Sequence, residues 1–267
     1  MILHDETYGG FYQGEYLTID VYARTYLARS LTGEEALLKL LHEPLKGDDG
    51  IRFILEAQAF SRLNHRNIVR LRGFGLSPAP FLLEEYIPGD SLRDKYPQGY
   101  KMPLPEVLWY FRRIAGSLAA AHDAGIVHCK LCPGSILIRE SGDIALTDFY
   151  MATVKGSNIC MDNSDYLATE LCYFDARRAG GAISRRRDIY SLGAITYELL
   201  CGRPPLTTKQ MLTLGGEQIL PPIELTPDLP AAISHAIMKA LDCDPERGYL
   251  SILDFVECLE AAYAETL

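Results

Sequence analysis

The sequence predicts an α+β chain of two lobes, a small β-rich lobe carrying one helix followed by a larger helical lobe. Three observations predict it. Short runs of apolar, aromatic and β-branched residues crowd the first third of the chain, with one helical stretch among them. Longer helical patterns fill the rest: Val107, Phe111, Ile114, Leu118 and Ala121 fall on one face, and Asp188–Leu200 is apolar almost all round, as in a buried helix. Between the two regions, the apolar runs Ser135–Ile138 and Ile144–Thr147 flank a Glu-Ser-Gly-Asp turn and read as a hairpin. That hairpin sets two polar loops side by side, one beginning at His128 and the other at Asp148.

Taken in order, residues 1–15 carry Gly9, Gly10 and Gly14 among polar residues and read as a lead-in. Tyr16–Leu31 suggests one long strand or two. After the turn Thr32-Gly33-Glu34-Glu35 comes the apolar strand Ala36–Leu41, interrupted by Lys39. A lysine there is either a snorkelling edge residue or a placed cation, and by composition alone the first is the commoner case. Ile51–Leu63 reads as a helix with Ile51, Leu55, Ala59 and Leu63 on its stripe and Glu56 beside it, facing the strand of Lys39. Strands Ile68–Gly73 and Phe81–Tyr86 follow, then the connector Ile87-Pro88-Gly89-Asp90. Pro103 and Pro105 open the long helix, where a missing N–H is harmless. Beyond the hairpin, Met151–Tyr166 is irregular. The chain divides into 1–15, an N-lobe at 16–88 and a C-lobe at 89–267.

Composition narrows the function classes. A net charge of −9 argues against bulk nucleic-acid or anionic-membrane binding, which needs clustered cations. No run of about 18 uncharged apolar residues predicts a membrane span, and MILHDETYGG has no secretory pattern. The 7 scattered cysteines, in a chain that is 48% hydrophobic, fit a reducing cytoplasm better than a disulfide framework.

The segment His128-Cys129-Lys130-Leu131-Cys132-Pro133-Gly134-Ser135, with Asp148-Phe149-Tyr150, resembles the catalytic and metal-binding loops of the eukaryotic-type Ser/Thr protein kinases, whose signatures are H-R-D-L-x-x-x-N and D-F-G. Ala168-Thr169-Glu170, Asp188, Gly202-Arg203-Pro204-Pro205 and Asp244-Pro245-Glu246-Arg247 match further family punctuation, so the resemblance runs from about residue 16 to about 265 and is closest in flavour to bacterial members. It implies a bilobal kinase fold in which Lys39 grips nucleotide phosphates and Glu56 aims it. It also makes Asp148 a Mg²⁺ ligand, places Glu85 and Tyr86 in the hinge, and has Asp188 cap the backbone of the catalytic loop. The cofactor it implies is Mg·ATP. His128, Phe149, Phe60 and Leu71 would fill an apolar spine.

Several chemical residues depart from that pattern. Lys130 stands at the general-base aspartate, and an ammonium with a pKa near ~10.4 accepts no proton at neutral pH. Cys132 and Ser135 replace the loop lysine and the asparagine of a second metal, and Cys129 replaces the arginine. Thr18, Asp20 and Ala23 stand at the three glycines of the nucleotide loop, unless Gly9, Gly10 and Gly14 form a displaced one. Leu37 intrudes on the base slot, Glu84 is a semi-buried gatekeeper carboxylate seeking a cation such as Lys39, and Tyr150 replaces a glycine. Cys129 and Cys132, with Cys160 and Cys172, are either a thiol switch or idle. Arg177, Arg178 and Arg185–Arg187 are a solvated face or a dock for an acidic partner.

Two functional readings follow. In the first the chain is a cytoplasmic pseudokinase. It is a protein-binding or allosteric module that requires no cofactor, binds nucleotide weakly or not at all through Lys39, Glu56, Asp148 and Glu85, and has another protein or a second copy of itself as partner. In the alternative it is an atypical ATP-dependent Ser/Thr kinase that uses Lys39, Glu56 and Mg²⁺-bound Asp148 without the usual base, because phosphoryl transfer is largely dissociative.

Overall fold

The computed structural model describes residues 7–19, 23–42, 44–45, 47–149, 185–206, 218–242, 244 and 246–266. It has the predicted two-lobed α+β architecture. Six antiparallel strands form the upper sheet: β1 (Thr7–Tyr8), β2 (Phe11–Ile19), β3 (Ala23–Ser30), β4 (Glu35–Leu41), β5 (Leu71–Gly75) and β6 (Phe81–Glu85), in the order β1-β2-β3-β4-β6-β5. The stretch expected as a lead-in is therefore corrected. Gly9 and Gly10 take positive φ (59° and 86°), which lets the chain reverse tightly from β1 into β2 and start the sheet at Thr7.

Side chains alternate across β4, so Ala36 and Leu38 pack with Tyr8, Phe11, Phe81 and Leu83 while Leu37, Lys39 and Leu41 face the other way. On that second face Leu41 and Leu82 meet α1 (Asp48–Ser61) through Phe53 and Ala57. Asp48 and Asp49 in the first turn of α1 suit its positive end. The buried stripe is Phe53, Ala57 and Phe60, not the expected series, and Ile51 and Leu55 are 61% and 59% exposed. Both series have helical spacing, and the one carrying two phenylalanines buries more apolar area.

The strand expected at Ile68–Gly73 is divided. Ile68 bridges in parallel to Leu146, and Val69 N–H donates to the Leu146 carbonyl at 2.9 Å. Only from Leu71 does the chain join the upper sheet, so Phe60, Ile68, Val69 and Ile87 belong to the lower lobe's core.

That lobe contains α2 (Leu92–Lys95), α3 (Leu104–Asp123), a 3₁₀ turn (Pro133–Ser135), the hairpin β7 (Ile136–Ile138) and β8 (Ile144–Leu146), then α4 (Arg185–Cys201), α5 (Pro222–Leu225), α6 (Ala231–Ala240) and α7 (Ile252–Ala264). The five α3 residues read as one face are all buried, and α4 is buried on every side from Arg187 to Cys201. Gly193 makes that possible: a Cβ there would lie 2.8 Å from the Ala240 Cβ, so α4 and α6 touch almost backbone to backbone. Arg185–Arg187 are a solvated face only in part: Arg185 is exposed, Arg186 half-buried and Arg187 buried. Arg185 donates to the His122 carbonyl (2.7 Å) and Arg186 to the Asp244 carbonyl (3.1 Å). Arg177 and Arg178 lie outside the described residues.

Candidate functional site

The site is anchored from below by Asp188 at the start of α4. Its fully buried carboxylate accepts the His128 and Cys129 backbone N–H groups, each at 2.8 Å, and pairs with His122 Nε2 at 2.8 Å. Two non-glycine residues of the site, Cys129 (φ 61°) and Asp148 (φ 67°), are in the left-handed region. Such residues cost on the order of 1–3 kcal/mol each and persist only where the surroundings over-determine them. For Cys129 the surroundings are the Asp188 cap.

Above the loop an ion cluster joins the lobes. Lys39 Nζ donates to Glu84 Oε2 at 2.8 Å, to Thr147 Oγ1 at 3.1 Å and to Asp148 Oδ1. Thr147 Oγ1 in turn donates to Glu84 Oε2 at 2.7 Å. Lys130 Nζ stands 3.9 Å from the other Asp148 oxygen. Burial works against the Lys39 ammonium, but Asp148 and then Glu84 outweigh it and hold its pKa above the usual lysine range. Burial likewise works against the Asp148 carboxylate, yet Lys39 and Lys130 hold it well below the usual range. Thr147 was not legible as a site residue, since in the sequence it only ends an apolar run.

The expected Lys39–Glu56 ion pair is not formed. Among the described residues no cation lies within ion-pair distance of Glu56, and burial, only partly offset by Arg52, pushes its carboxyl up to about 7. The lysine's partner has moved from the helix to the strand. The sheet register explains it: Leu37 pairs with Glu84 and Lys39 with Leu82, so Glu84 is the diagonal neighbour of Lys39 on the same face, within reach of long side chains. A pH dependence follows. Stability contributed by the Glu56 proton is fully present below the ordinary carboxylate range and is lost as pH rises through about 7. Glu56→Gln is therefore expected to raise the melting temperature relative to wild type at pH 8 and to leave it unchanged at pH 4, as followed by circular dichroism.

Phe149 stacks on Phe60 (ring centroids 5.5 Å) and meets the His128 ring at 4.5 Å, with Leu71 packed against the same core. Burial lowers the pKa of His128, which sits wholly inside this spine. It is a packing residue.

The remaining expected residues are engaged elsewhere. Ser135 Oγ accepts the Cys132 N–H (3.1 Å) and donates to the Cys132 carbonyl (2.9 Å), which closes the 3₁₀ turn. The Glu85 carboxylate accepts from Arg139 (3.1 Å) and from the Arg70 N–H (3.2 Å), so its side chain is turned to those arginines. Cys129 and Cys132 are buried and form no disulfide, and burial pushes the Cys129 thiol up to about 12, the opposite of a reactive thiolate. Tyr150, Cys160, Thr169, Glu170 and Cys172 lie outside the described residues. Asp20 does too, while Thr18 and Ala23 flank the β2–β3 connection as expected. The displaced glycine loop is ruled out. Gly9 and Gly10 turn at the opposite end of β2, and a Cβ on Gly14 would lie 2.2 Å from the Leu27 carbonyl oxygen, marking a strand bulge.

A resident Mg²⁺ does not fit these residues. Both oxygens of Asp148 face ammonium groups, Ser135 spends its hydroxyl within its own turn, and no cluster of three His, Cys, Asp or Glu suited to a metal exists among the described residues.

A strand-rich lobe with one packed helix, set over a helical lobe whose capped loop and following aspartate meet a strand lysine, defines a protein of the kinase class. The chain belongs to the protein kinase family: the family described as protein kinase domain matches residues 21–243. It is 35% identical over 191 residues to the serine/threonine-protein kinase PknL of Mycobacterium tuberculosis, covering 68% of this chain and 46% of that one. With the serine/threonine-protein kinase PrkC of Bacillus subtilis it shares 28% over 249 residues, 90% of this chain and 38% of the other. With PknB of Mycobacterium leprae it shares 26% over 249 residues, 88% and 40%. The chain thus spans less than half the length of each of these relatives. Among the described residues no helix is long and apolar enough to cross a membrane.

Proposed function

We propose that this chain is a pseudokinase, a kinase-fold module of the cytoplasm that works by binding another protein. The observation that carries the reading is the engagement of Lys39. Its ammonium is held by Glu84, Thr147 and Asp148 at once, so the group that would grip phosphates is a tie between the lobes. Lys130 at the base position supports the same reading, since loss of a general base costs on the order of 10²–10⁴ in rate. A kinase-sized surface on a fixed scaffold is what remains for selection to use, with a protein, or a second copy of the chain, as its partner.

The test is transfer of labelled γ-phosphate from ATP, with Mg²⁺ or Mn²⁺, to the chain itself and to a Ser/Thr peptide library. No transfer above the Lys39→Ala background is expected. Transfer abolished by Asp148→Asn would replace this reading with that of an atypical Ser/Thr kinase, the activity its relatives are named for.

A further inference from the structure

We propose that an arginine cluster on the outer surface, at the join of the lobes, docks an acidic segment of a partner protein. The inference rests on the binding-module reading and names the chemistry of the partner, though none of the cluster's residues belongs to the Lys39 site.

The sequence concentrates the charge. Between Glu56 and Glu84 the chain carries Arg62, Arg66, Arg70 and Arg72 and no Asp, Glu or Lys, although acids outnumber bases 35 to 26 overall. All four of these arginines are exposed. The fold brings Arg113 of α3 and Arg139 of the β7–β8 hairpin beside them. Arg113 Nε donates to Asp143 Oδ1 at 3.0 Å while Arg66 stands 3.7 Å from the other oxygen, so one carboxylate serves two guanidinium groups. Arg139 N–H donates to the Asp143 carbonyl at 2.8 Å, and the Arg139 side chain reaches Glu85 at 3.1 Å. Burial works against the Glu85 carboxylate, but Arg139, the Arg70 N–H and then Arg72 hold its pKa below the usual range. Arg70 itself gives its guanidinium to the neutral Asn64, at 3.2 Å.

These arginines are more than ties. Holding the hairpin to α3 needs one guanidinium on Asp143, and Arg113 is the fixed one, its guanidinium lying 3.5 Å from the Trp109 ring centroid. Arg66 is 71% exposed, and a pair made by so exposed a side chain is worth little. Arg72 has no ion-pair partner among the described residues. Arg66, Arg70, Arg72, Arg113 and Arg139 thus gather around the two carboxylates of Asp143 and Glu85. The cations stay in excess when Arg62 is counted together with the exposed Glu140 and Asp90 beside the hairpin. Like charges so placed repel one another until an anion arrives. Guanidinium groups suit the two-pronged grip of carboxylates, and the cluster contains no lysine. The net charge of −9 decides among anions. A nucleic acid or an anionic membrane extends past the cluster onto a repelling surface, whereas a short acidic segment does not.

The experiment is fluorescence anisotropy of the full chain with a short labelled peptide of alternating Glu and Ser, at low and at physiological salt. Saturable binding that weakens with salt is expected, and the matching Lys-Ser peptide should not bind. Arg66→Ala and Arg72→Ala should each weaken binding about threefold, and the double reversal Arg66→Glu, Arg72→Glu by more than about tenfold. Both side chains are exposed, so the fold should persist, with circular dichroism as the check. Arg247→Glu, which reverses an exposed arginine of the lower lobe outside the cluster, should bind as the wild type does. Absence of binding overturns the proposal, and so does equal weakening by Arg247→Glu and by the double reversal. Tighter binding of a single-stranded RNA or of phosphatidylserine vesicles at the same arginines overturns the choice of an acidic protein partner. None of these results bears on the phosphate-transfer test of the pseudokinase reading. Phosphate transfer by a chain that still binds the peptide at these arginines would remove that reading alone.

Discussion

Replacing Lys39 with methionine is expected to destabilise the chain by about 3–5 kcal/mol, the range for removing one partner of a buried ion pair. Lys39 and Glu84 are 5% and 0% exposed, and the second Glu84 oxygen already has no hydrogen-bond partner among the described residues. Without the ammonium, Glu84 and Asp148 are left as two carboxylates near one another with only Thr147 between them and Lys130 on the far side. The double variant Lys39→Met, Glu84→Leu should recover most of the loss, since an apolar pair needs no solvation. Denaturant unfolding of the wild type, both single variants and the double variant checks this. Equal stability of wild type and Lys39→Met would mean the cluster is solvated and holds nothing together. The result also bears on interpretation: loss of function in a Lys39 variant would reflect loss of fold as readily as loss of chemistry.

Asp188→Ala should have an effect of similar size, about 3–5 kcal/mol, because it strands two buried N–H groups that had charge-assisted partners and leaves His122 without its carboxylate. The damage should be local first. Hydrogen exchange at the His128 and Cys129 amides is expected to accelerate by orders of magnitude while α3 stays protected, and Cys129, no longer over-determined, should leave its left-handed conformation. Unchanged exchange at these two amides would show that the 3₁₀ turn and hairpin hold the loop without the cap.

What the sequence made legible was decided by length and period. α3 and α4 run for four or more turns, and each carries an apolar pattern that no other element explains. The hairpin and the Asp188 cap were legible because turn chemistry and motif spacing are local. β1 and the start of β2 were missed because β1 has only 2 residues and β2 is mostly exposed, so neither shows the alternation of a half-buried strand. The face of α1 was misjudged because Ile51, Leu55 and Ala59 fit a helix as well as Phe53, Ala57 and Phe60 do, and packing against β4 and Phe149 chose between them. The partner of Lys39 was partly legible. Glu84 in an apolar run announced a buried carboxylate in need of a cation, but its preference over Glu56 depends on the β4–β6 register, a tertiary fact.

The division of the 60–71 segment has a mechanical consequence. Val69 is stitched to β8 below while Leu71 is in the sheet above, and the chain returns downward between Glu85 and Ile87. The two crossings lie side by side and are bonded to each other, with Glu85 N–H donating to the Arg70 carbonyl at 2.8 Å and Arg70 N–H donating to the Glu85 carboxylate at 3.2 Å. The lobes are therefore joined by a paired strap, two crossings held to each other as well as to the lobes. Swivelling the upper sheet over the lower lobe would have to break those two bonds, and opening the cleft would have to break the Lys39–Asp148 pair as well.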